Sequence, residues 1–203
     1  MKIILASQSP RRQKLLEQMG IEFTAIPSQF NEYLDDARNA DSVAIELALG
    51  KAMMVAEKHP DDIVIGSDTI VTVHGKQLGK AVNDNEARRM LKLLSGTHND
   101  VTTGLAIVRM ADNVKLTGSD TTRVCFRVYN KKLVEQYIAT GDYKDKAGAY
   151  GIQSGAASLI ESFSGSYDNV LGLPTKLLSE LLSKLGVLAK PVKLQISVEQ
   201  KSV

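Results

Sequence analysis

Short apolar segments alternate with longer amphipathic ones along this chain, and the alternation predicts a fold of mixed helices and strands. The chain opens with the apolar run Ile3-Ile4-Leu5, which is typical of a buried strand. The apolar positions Val43, Leu47 and Met54 recur at helical spacing, and His59-Pro60 ends that helix. The pattern therefore indicates the α/β class. Strands are predicted at 2–6, 21–26, 62–73, 101–110 and 115–129, and helices at 13–19, 41–58, 83–94, 131–140 and 174–185.

The residues after the first strand predict an anion-binding site. Pro10 suits the first turn of a helix because its missing N–H costs nothing there, and Gly20 ends that helix. We expect Ser7 or Ser9 to cap the helix, so that its free N–H groups and positive dipole end face one place. The pair Arg11-Arg12 adds charge there, which favours phosphate as the ligand. The alternative is a capped surface helix with two solvated arginines.

Composition limits the classes of function without naming one. At 203 residues the chain is one sizeable domain or two small lobes, and it is long enough to bury a core. Its net charge of +2 gives no general attraction to nucleic acids or acidic membranes. The pattern of a signal peptide or a membrane span is not found, which predicts a cytoplasmic protein. Cys125 is the only cysteine, which excludes an internal disulfide, and we expect it to be a core thiol on a strand.

The helical pattern ends at residue 185, and this limit sets the expected domain organisation. We expect a single domain over residues 1–188. Residues 189–203 lie beyond the last predicted helix. We expect them to form a loosely attached, flexible C-terminal tail.

A polar cluster, Gly66-Ser67-Asp68-Thr69, interrupts the third predicted strand. In α/β proteins such a cluster is typical of a place where the sheet opens into a ligand cleft. Asp68 could hold a divalent metal there or take a proton from water. The alternative is that Asp68 caps a turn and has only a local structural role.

Three lysines next to small residues are candidates for phosphate binding. Lys51 and Lys80 each follow a glycine, and Lys146 precedes an alanine. Taken alone, each lysine is more often a solvated surface charge. The small residues around Tyr150 would let the backbone approach a flat ligand, and the Gln153 amide could read the edge of a base. The alternative for this segment is a glycine-rich turn with a packed tyrosine.

Signatures of several other enzyme classes do not occur in the sequence. There is no Gly-x-x-x-x-Gly-Lys-Ser/Thr run of a P-loop enzyme, and no Gly-x-Gly-x-x-Gly of a dinucleotide oxidoreductase follows the first strand. His59, His74 and His98 are far apart, with no cysteine partner and no His-Glu-x-x-His motif, so a zinc site is not expected. The Gly-x-Ser-x-Gly elbow of serine hydrolases is also missing. The remaining carboxylates, lysines and arginines are typical of metal-assisted phosphate chemistry.

Several motifs together resemble one known family. They are Ser7-Gln8-Ser9-Pro10-Arg11-Arg12, Gly66-Ser67-Asp68-Thr69, Gly79-Lys80, Leu94-Ser95-Gly96-Thr97-His98, Asp145-Lys146-Ala147-Gly148-Ala149-Tyr150-Gly151-Ile152-Gln153 and Asn169-Val170-Leu171-Gly172-Leu173-Pro174. In this order, they are similar to the Maf family of nucleotide pyrophosphatases and cover residues 1 to 187. The resemblance implies an elongated mixed sheet with flanking helices and a cleft between two lobes, related to inosine triphosphate pyrophosphatases. It also implies hydrolysis of a nucleoside triphosphate to the monophosphate and pyrophosphate with Mg²⁺ or Mn²⁺, and a link to inhibition of septum formation in bacteria.

The resemblance also implies roles for single residues. The motif that ends at Gln153 is similar to the family branch that acts on dTTP and UTP rather than on 7-methyl-GTP. Asp68 would accept the proton and, together with Glu32, bind the metal. The residues implied in base recognition are Arg12, Thr69 and Gln153. Those implied along the triphosphate are Ser7, Arg11, Lys51, Lys80 and Lys146. The resemblance further implies a homodimer, and no nucleic-acid or membrane partner is expected.

Two departures from the family pattern leave other functions open. Asn31-Glu32 stands where the family usually has Asp-Glu, and Lys80-Ala81 stands where Lys-Pro is usual. One alternative is therefore a nucleotide-binding regulator of cell division that hydrolyses little. Another is a pyrophosphatase for modified or purine nucleotides, which the motif ending at Gln153 argues against.

Overall fold

A computed structural model describes residues 1–153, 155–194, 196 and 198–200 of the chain. The strands are β1 (Ile3–Leu5), β2 (Thr24–Ala25), β3 (Ile63–Val73), β4 (Lys76–Leu78), β5 (His98–Arg109), β6 (Val114–Phe126), β7 (Ile160–Ser164) and β8 (Glu199–Gln200). The helices are α1 (Pro10–Gln18), α2 (Ala40–Ala56), α3 (Asp84–Leu94), α4 (Lys131–Ala139), α5 (Tyr167–Val170) and α6 (Thr175–Ser183), with a 3₁₀ turn at Gly155–Ser158. The predicted tail, residues 189–203, falls partly outside the described residues.

The strands form a mixed sheet in the order β2-β1-β3-β5-β6-β7-β8, with β4 paired to β3. β1 is parallel to β2 and β3, and β8 is parallel to β7. β3, β5, β6 and β7 pair in antiparallel order, and the pair β5–β6 corresponds to the predicted strands 101–110 and 115–129. The sheet and its flanking helices confirm the predicted mixed α/β fold.

Helix α2 lies directly on one face of the sheet because two glycines leave room for its backbone. A Cβ added to Gly66 of β3 would lie 2.1 Å from the carbonyl oxygen of Ala48. A Cβ added to Gly104 of β5 would lie 2.2 Å from the carbonyl carbon of Ala44. Side chains at these glycines would force the helix away from the close-packed sheet. Since alternate residues of a strand share a face, this packing also brings α2 up to Asp68.

The longest helix, α2, has 17 residues. Its apolar residues face the sheet, where Val43 and Leu47 pack with Ile70 of β3. Among the helices that the structure describes, none combines the length and the apolar composition needed to cross a bilayer.

The opposite face of the sheet carries the larger hydrophobic core. Ile63 and Ile65 of β3 belong to it, together with apolar residues of α1, α3 and α6. Its largest fully buried side chains include Leu15, Leu16, Met19, Leu91, Leu94 and Phe163. Because elements pack on both faces, β3 and β5 are buried along most of their length. Polar residues within these two strands therefore need protein or ligand partners.

Some predicted elements differ from the structure in length. The predicted strand 21–26 is reduced to β2, and the predicted strand 115–129 ends at Phe126. β4, β7, β8 and α5 have at most five residues each, which is too short for hydrophobic periodicity to indicate them. Pairing with neighbouring strands, rather than local sequence, defines these short strands.

The predicted serine cap of α1 is correct in position but not in its hydrogen bond. Ser9 occupies the N-cap position, but its side chain makes no capping hydrogen bond in the described structure. The hydroxyl of Ser7 instead accepts a hydrogen bond from the backbone N–H of Ser9 at 3.2 Å. The side chain of Ser7 is thus oriented toward a different group, the guanidinium of Arg12, which lies 3.2 Å away.

Cys125 lies on β6, as predicted, but it is not a core thiol. Its neighbours Val124 and Phe126 are buried, whereas Cys125 is partly exposed. Successive residues of a strand point to opposite faces of the sheet, so Cys125 cannot share the core with its two neighbours.

The chain after α6 runs back along the domain. The backbone N–H of Lys190 donates to the carbonyl oxygen of Met19 at 2.8 Å. Val198 is buried, and β8 pairs with β7. The described part of the predicted tail therefore lies against the domain.

Candidate active site

A cleft of about 830 Å³ opens between the β1–α1 turn, α2, the middle of β3 and the loops at 142–153 and 170–172. Small-molecule sites typically have volumes of about 300–1,000 Å³. Every predicted site residue lies in its wall: Ser7, Arg11, Arg12, Glu32, Lys51, Asp68, Thr69, Lys80, Lys146 and Gln153. The fold thus brings these side chains together, while their individual roles stay predictions.

Three charged side chains meet at the ammonium group of Lys51 on α2. Its Nζ donates to Oε1 of Glu32 at 2.7 Å and to Oδ1 of Asp68. The side chains of Lys51 and Asp68 are each 9% exposed, whereas that of Glu32 is 43% exposed. Asp68 lies in the middle of β3, paired with Gly104, so it does not cap a turn. The cluster is therefore a buried ion pair with a more exposed second carboxylate.

The surroundings shift the pKa values of the two carboxyl groups in opposite directions. Burial raises the pKa of Asp68 above its usual value, against the lowering effect of the charges of Lys51 and Arg12. Partial burial also acts to raise the pKa of Glu32, but hydrogen bonds and charge from Lys51 and Lys80 lower it below its usual value. One carboxyl group with raised proton affinity thus lies beside one that stays ionised.

The two carboxylates fit a divalent cation. Glu32 and Asp68 contact the same nitrogen atom, so they already converge on one positive charge. Mg²⁺ prefers oxygen ligands and is usually bound by one or two carboxylates plus substrate phosphates. Within the described residues, no group of three or more His, Cys, Asp or Glu side chains could hold a metal ion. The donor set therefore suits a cation whose other ligands come from phosphate and water.

The guanidinium group of Arg12 on α1 is held by three acceptors. Its Nε donates to the carbonyl oxygen of Gly172 at 2.7 Å. Its terminal nitrogens donate to the hydroxyls of Ser7 and Thr69, each at 3.2 Å. Burial lowers the pKa of Arg12, against the raising effect of the Asp68 charge. Arg12 is thus a fixed cation in the cleft wall and not a solvated surface charge.

Lys80 and Lys146 lie in loops that pair with each other, since Lys80 forms an isolated bridge with the residue after Lys146. Nζ of Lys80 lies 3.3 Å from Oε2 of Glu32, and its side chain is 54% exposed. Nζ of Lys146 donates to the side chain of Asp142 at 3.0 Å and to its backbone carbonyl. Both lysines bring positive charge to the cleft, but Lys146 already has a partner in its own loop.

The segment 145–153 agrees in part with each interpretation of its sequence. Tyr150 is buried, its hydroxyl donates to Oδ1 of Asn99 at 2.8 Å, and its ring meets Phe126 edge-on at 4.9 Å. The alternative of a packed tyrosine is therefore correct for Tyr150. Gln153 is exposed and lines the cleft, where its amide is accessible to a ligand.

Comparison with known protein families identifies the family of this chain. The sequence profile described as "Maf-like protein" matches residues 2–185. The chain belongs to the Maf family. This confirms the resemblance seen in the motifs, and it covers the whole cleft wall.

Several Maf relatives are similar over nearly their full length. A protein of Dictyoglomus thermophilum named dTTP/UTP pyrophosphatase is 40% identical over 91% of this chain and 96% of its own. Proteins of the same name from Symbiobacterium thermophilum and Pyrococcus furiosus are each 43% identical, over 91% and 89% of this chain and 94% of their own. A solved structure, the Staphylococcus aureus Ham1 protein, matches at 12% identity with a TM-score of 0.40, over 62% of this chain and 72% of that chain.

Two residues of this Maf chain contact the site without having a predicted role. The carbonyl oxygen of Gly172 accepts from Arg12 at 2.7 Å and from the hydroxyl of Ser67 at 2.8 Å. Ser67 stands next to Asp68, and Gly172 begins the sequence Gly-Leu-Pro, so both lie in motifs already noted. Their contact spans 105 positions, and no feature of the sequence indicates a pairing at that distance.

Proposed function

We propose that this chain hydrolyses nucleoside triphosphates, with dTTP and UTP favoured, to the nucleoside monophosphate and pyrophosphate. The observation that carries the proposal is the similarity to relatives named dTTP/UTP pyrophosphatase, such as the one that is 40% identical over 91% of this chain. Water would add to the α-phosphorus, the bond from this phosphorus to the α,β-bridging oxygen would break, and pyrophosphate would leave. The carboxylates, lysines and arginines of the cleft support this chemistry.

Asp68 would take the proton from the attacking water. Its raised pKa supports this role, because the ionised form then binds a proton more strongly than an ordinary aspartate does. The hydrogen bond from Lys51 would orient the carboxylate. A general base of this kind contributes about 10²–10⁴-fold to a rate. Since water is the nucleophile, no covalent intermediate with the protein is needed.

The cationic side of the cleft would bind the triphosphate. The groups proposed for this role are Ser7, Arg11, Lys51, Lys80 and Lys146, together with the positive end of α1. Lys51 and Lys80 would exchange part of their contact with Glu32 for phosphate oxygens. Lys146 would leave Asp142 or extend from it to a phosphate. Base recognition is proposed for Arg12, Thr69 and Gln153.

Glu32 and Asp68 would hold a divalent cation, Mg²⁺ or Mn²⁺. When bound, such a cation offsets the negative charge of the triphosphate and of the leaving pyrophosphate. Glu32 suits this role because its lowered pKa keeps it ionised. Glu32 is also the more exposed of the two carboxylates, so it is open to an incoming ion.

We further propose a homodimer that acts on the cytoplasmic nucleotide pool and has no nucleic-acid partner. The net charge of +2 supports the last point, and the dimer and a link to septum formation rest on the family resemblance. The cytoplasmic location is carried over from the sequence prediction. Light scattering after gel filtration should give twice the chain mass of 22.1 kDa. A mass of one chain would contradict the dimer.

The test of the function is pyrophosphate release from dTTP, UTP, CTP, GTP, ATP, 7-methyl-GTP and ITP, with Mg²⁺ and with EDTA. We expect turnover that is led by dTTP and UTP and abolished by EDTA. Asp68→Asn, purified in parallel, should be nearly inactive, which excludes a contaminating enzyme. Turnover led by another base would keep the hydrolysis and remove the proposed base recognition.

The same measurement tests the rival function. Asn31 and Ala81 depart from the family pattern beside Glu32 and Lys80, which favours weak hydrolysis. Weak hydrolysis is what a nucleotide-binding regulator of cell division would show. Tight nucleotide binding without release of pyrophosphate, in a folded sample, would favour a nucleotide-binding regulator of cell division. Metal-dependent turnover would exclude the regulator as the main function.

A further inference from the structure

The turn after α5 touches the cleft wall through its backbone. Gly172 has a φ of +97°, a conformation that favours glycine. A Cβ at this position would lie 3.1 Å from Oγ1 of Thr69 and 3.2 Å from Nε of Arg12. The missing side chain therefore lets the main chain approach both residues closely.

The carbonyl oxygen of Gly172 is a fully used acceptor. It receives one hydrogen bond from Nε of Arg12 at 2.7 Å and one from Oγ of Ser67 at 2.8 Å. A carbonyl oxygen has two lone pairs, so these bonds occupy both. Ser67 is fully buried, and its hydroxyl fixes the direction in which the carbonyl meets the guanidinium group.

Hydrogen bonds to the sheet hold this turn in place. The hydroxyl of Thr103 on β5 donates to the carbonyl oxygen of Asn169 at 2.9 Å. The amide of Asn169 donates to the carbonyl oxygen of Val101 at 2.9 Å and to the hydroxyl of Thr122 at 3.0 Å. The backbone N–H of Gly172 donates to the carbonyl oxygen of Asn169 at 2.9 Å. The position of the Gly172 carbonyl is therefore set by β5 and β6.

Arg12 retains donors for a ligand. A guanidinium group has five N–H donors, and three of those of Arg12 have acceptors among the described residues. The remaining two belong to a half-buried side chain in the cleft wall. Holding such a group in one orientation before binding reduces the entropy lost on binding.

We propose that Gly172 and Ser67 are positioning residues, which hold the Arg12 guanidinium so that its remaining N–H groups meet the bound nucleotide. The inference rests on the proposed function, because it assumes a nucleotide in the cleft. It assigns a positioning role to the turn at Asn169–Pro174, part of which lies in the cleft wall.

The first test is a double-mutant cycle on nucleotide affinity. The probe is UTP with an imido group between the α- and β-phosphorus, and its Kd is measured calorimetrically for wild type, Ser67→Ala, Arg12→Ala and the double variant. Loss of the Ser67 hydroxyl should raise Kd about 3- to 10-fold in the wild-type background. In the Arg12→Ala background it should change Kd less than about twofold, because the group that Ser67 positions is gone. Equal effects in both backgrounds would overturn the positioning role.

A matched control separates this effect from the loss of any buried hydroxyl. Ser162 on β7 is 1% exposed, and its hydroxyl has no hydrogen-bond partner in the part of the chain that the structure describes. Ser162→Ala should therefore leave Kd within about twofold of wild type. An increase in Kd equal to that of Ser67→Ala would also count against the proposal.

Gly172→Ala provides a second, independent test. Its control is Gly186→Ala, since Gly186 has a φ of +74° with no atom within 4 Å of an added Cβ. Both variants carry backbone strain, but only Gly172→Ala crowds Arg12, so only it should raise Kd, by more than about tenfold. Equal Kd values for the two variants would overturn the proposal. A folded wild-type protein that binds no nucleotide would overturn the proposed function and the positioning role together, whereas tight wild-type binding with additive effects would overturn the positioning role alone.

Discussion

The carboxylate of Asp68 on β3 and the ammonium group of Lys51 on α2 form a buried ion pair in the cleft wall. The pair depends on close packing, because α2 reaches the strand only where Gly66 and Gly104 have no side chains. Lys51 also binds Glu32, so one ammonium group holds two carboxylates that would otherwise repel each other. The arrangement of the charged groups is therefore a consequence of how a helix packs on the sheet.

Replacing Asp68 by asparagine should stop turnover without preventing nucleotide binding. The amide cannot accept a proton from water, so kcat should fall about 10²–10⁴-fold. The Kd of the imido analogue of UTP should change only a few-fold, because the cationic groups of the cleft remain. Asp61→Asn, at an exposed position before β3, is the matched control and should keep wild-type kcat. Unchanged turnover of Asp68→Asn would remove Asp68 from the mechanism.

Lys51→Met should destabilise the metal-free protein, and a divalent cation should restore part of the loss. Removing one member of a buried ion pair leaves Asp68 without its counter-charge, which costs about 3–5 kcal/mol in free energy of unfolding. Mn²⁺ should raise the midpoint of thermal unfolding more in this variant than in wild type, because the cation binds the folded state at the freed carboxylates.

The control for this prediction is Lys80→Met, since Lys80 is an exposed partner of Glu32. Exposed ion pairs contribute about 0–1 kcal/mol, so this variant should unfold close to wild type in EDTA. If Mn²⁺ gives Lys51→Met no additional stability, Glu32 and Asp68 do not form a cation site.

Gly66→Ala should disturb both the fold and the site. The added methyl group would lie 2.1 Å from the carbonyl oxygen of Ala48 and 2.9 Å from Cβ of Ala52, so α2 must move away from the sheet. Overpacking of this kind costs about 1–3 kcal/mol, and a contact with backbone belongs at the upper end. Chemical denaturation measures the loss, and kcat should fall as well because Lys51 moves with the helix.

Gly75→Ala is the control for adding a methyl group at a glycine without a clash. Gly75 has a φ of +74° and open space around an added Cβ, so the substitution adds strain without a clash. It should cost about 1–2 kcal/mol of stability and leave kcat unchanged. A Gly66→Ala variant with wild-type stability would show that α2 does not depend on this close approach.

Tyr150→Phe should loosen the loop that carries Lys146 and Gln153. The buried hydroxyl of Tyr150 donates to Oδ1 of Asn99, and its loss leaves that acceptor without the partner, at a cost of about 1–3 kcal/mol. Thermal unfolding should occur at a lower temperature, and KM for UTP should rise. Tyr33→Phe removes a hydroxyl that donates to Glu46 at an exposed position, so it should cost less stability than Tyr150→Phe. Equal stability of the two variants would contradict the importance of the Asn99 contact.

The long elements of the fold could be predicted from the sequence, because burial imposes a period over many residues. This is the reason that α2, α3 and the pair β5–β6 match the expected segments within a few residues. The short strands β4 and β7 could not be placed in this way. Each is defined by hydrogen bonds to a neighbouring strand, and three to five residues show no period.

The membership of the site was also predictable, since every residue expected there lines the cleft. The contacts within it were not. Lys146 pairs with Asp142, and Ser7 turns toward Arg12 instead of capping α1. Short polar side chains have several acceptors and donors within reach, and only the folded arrangement selects one of them.

The sequence by itself therefore determined the α/β class, the long helices and strands, the family and the set of residues that meet in the cleft. These features follow from periodic burial and from motifs, which are local properties of the chain. Tertiary structure alone decided that Lys51 bridges Glu32 and Asp68 and that the Gly172 carbonyl holds Arg12. Such contacts join residues far apart in sequence. They form only where two elements pack closely at Gly66, Gly104 and Gly172, and the sequence does not show which elements will meet at a glycine.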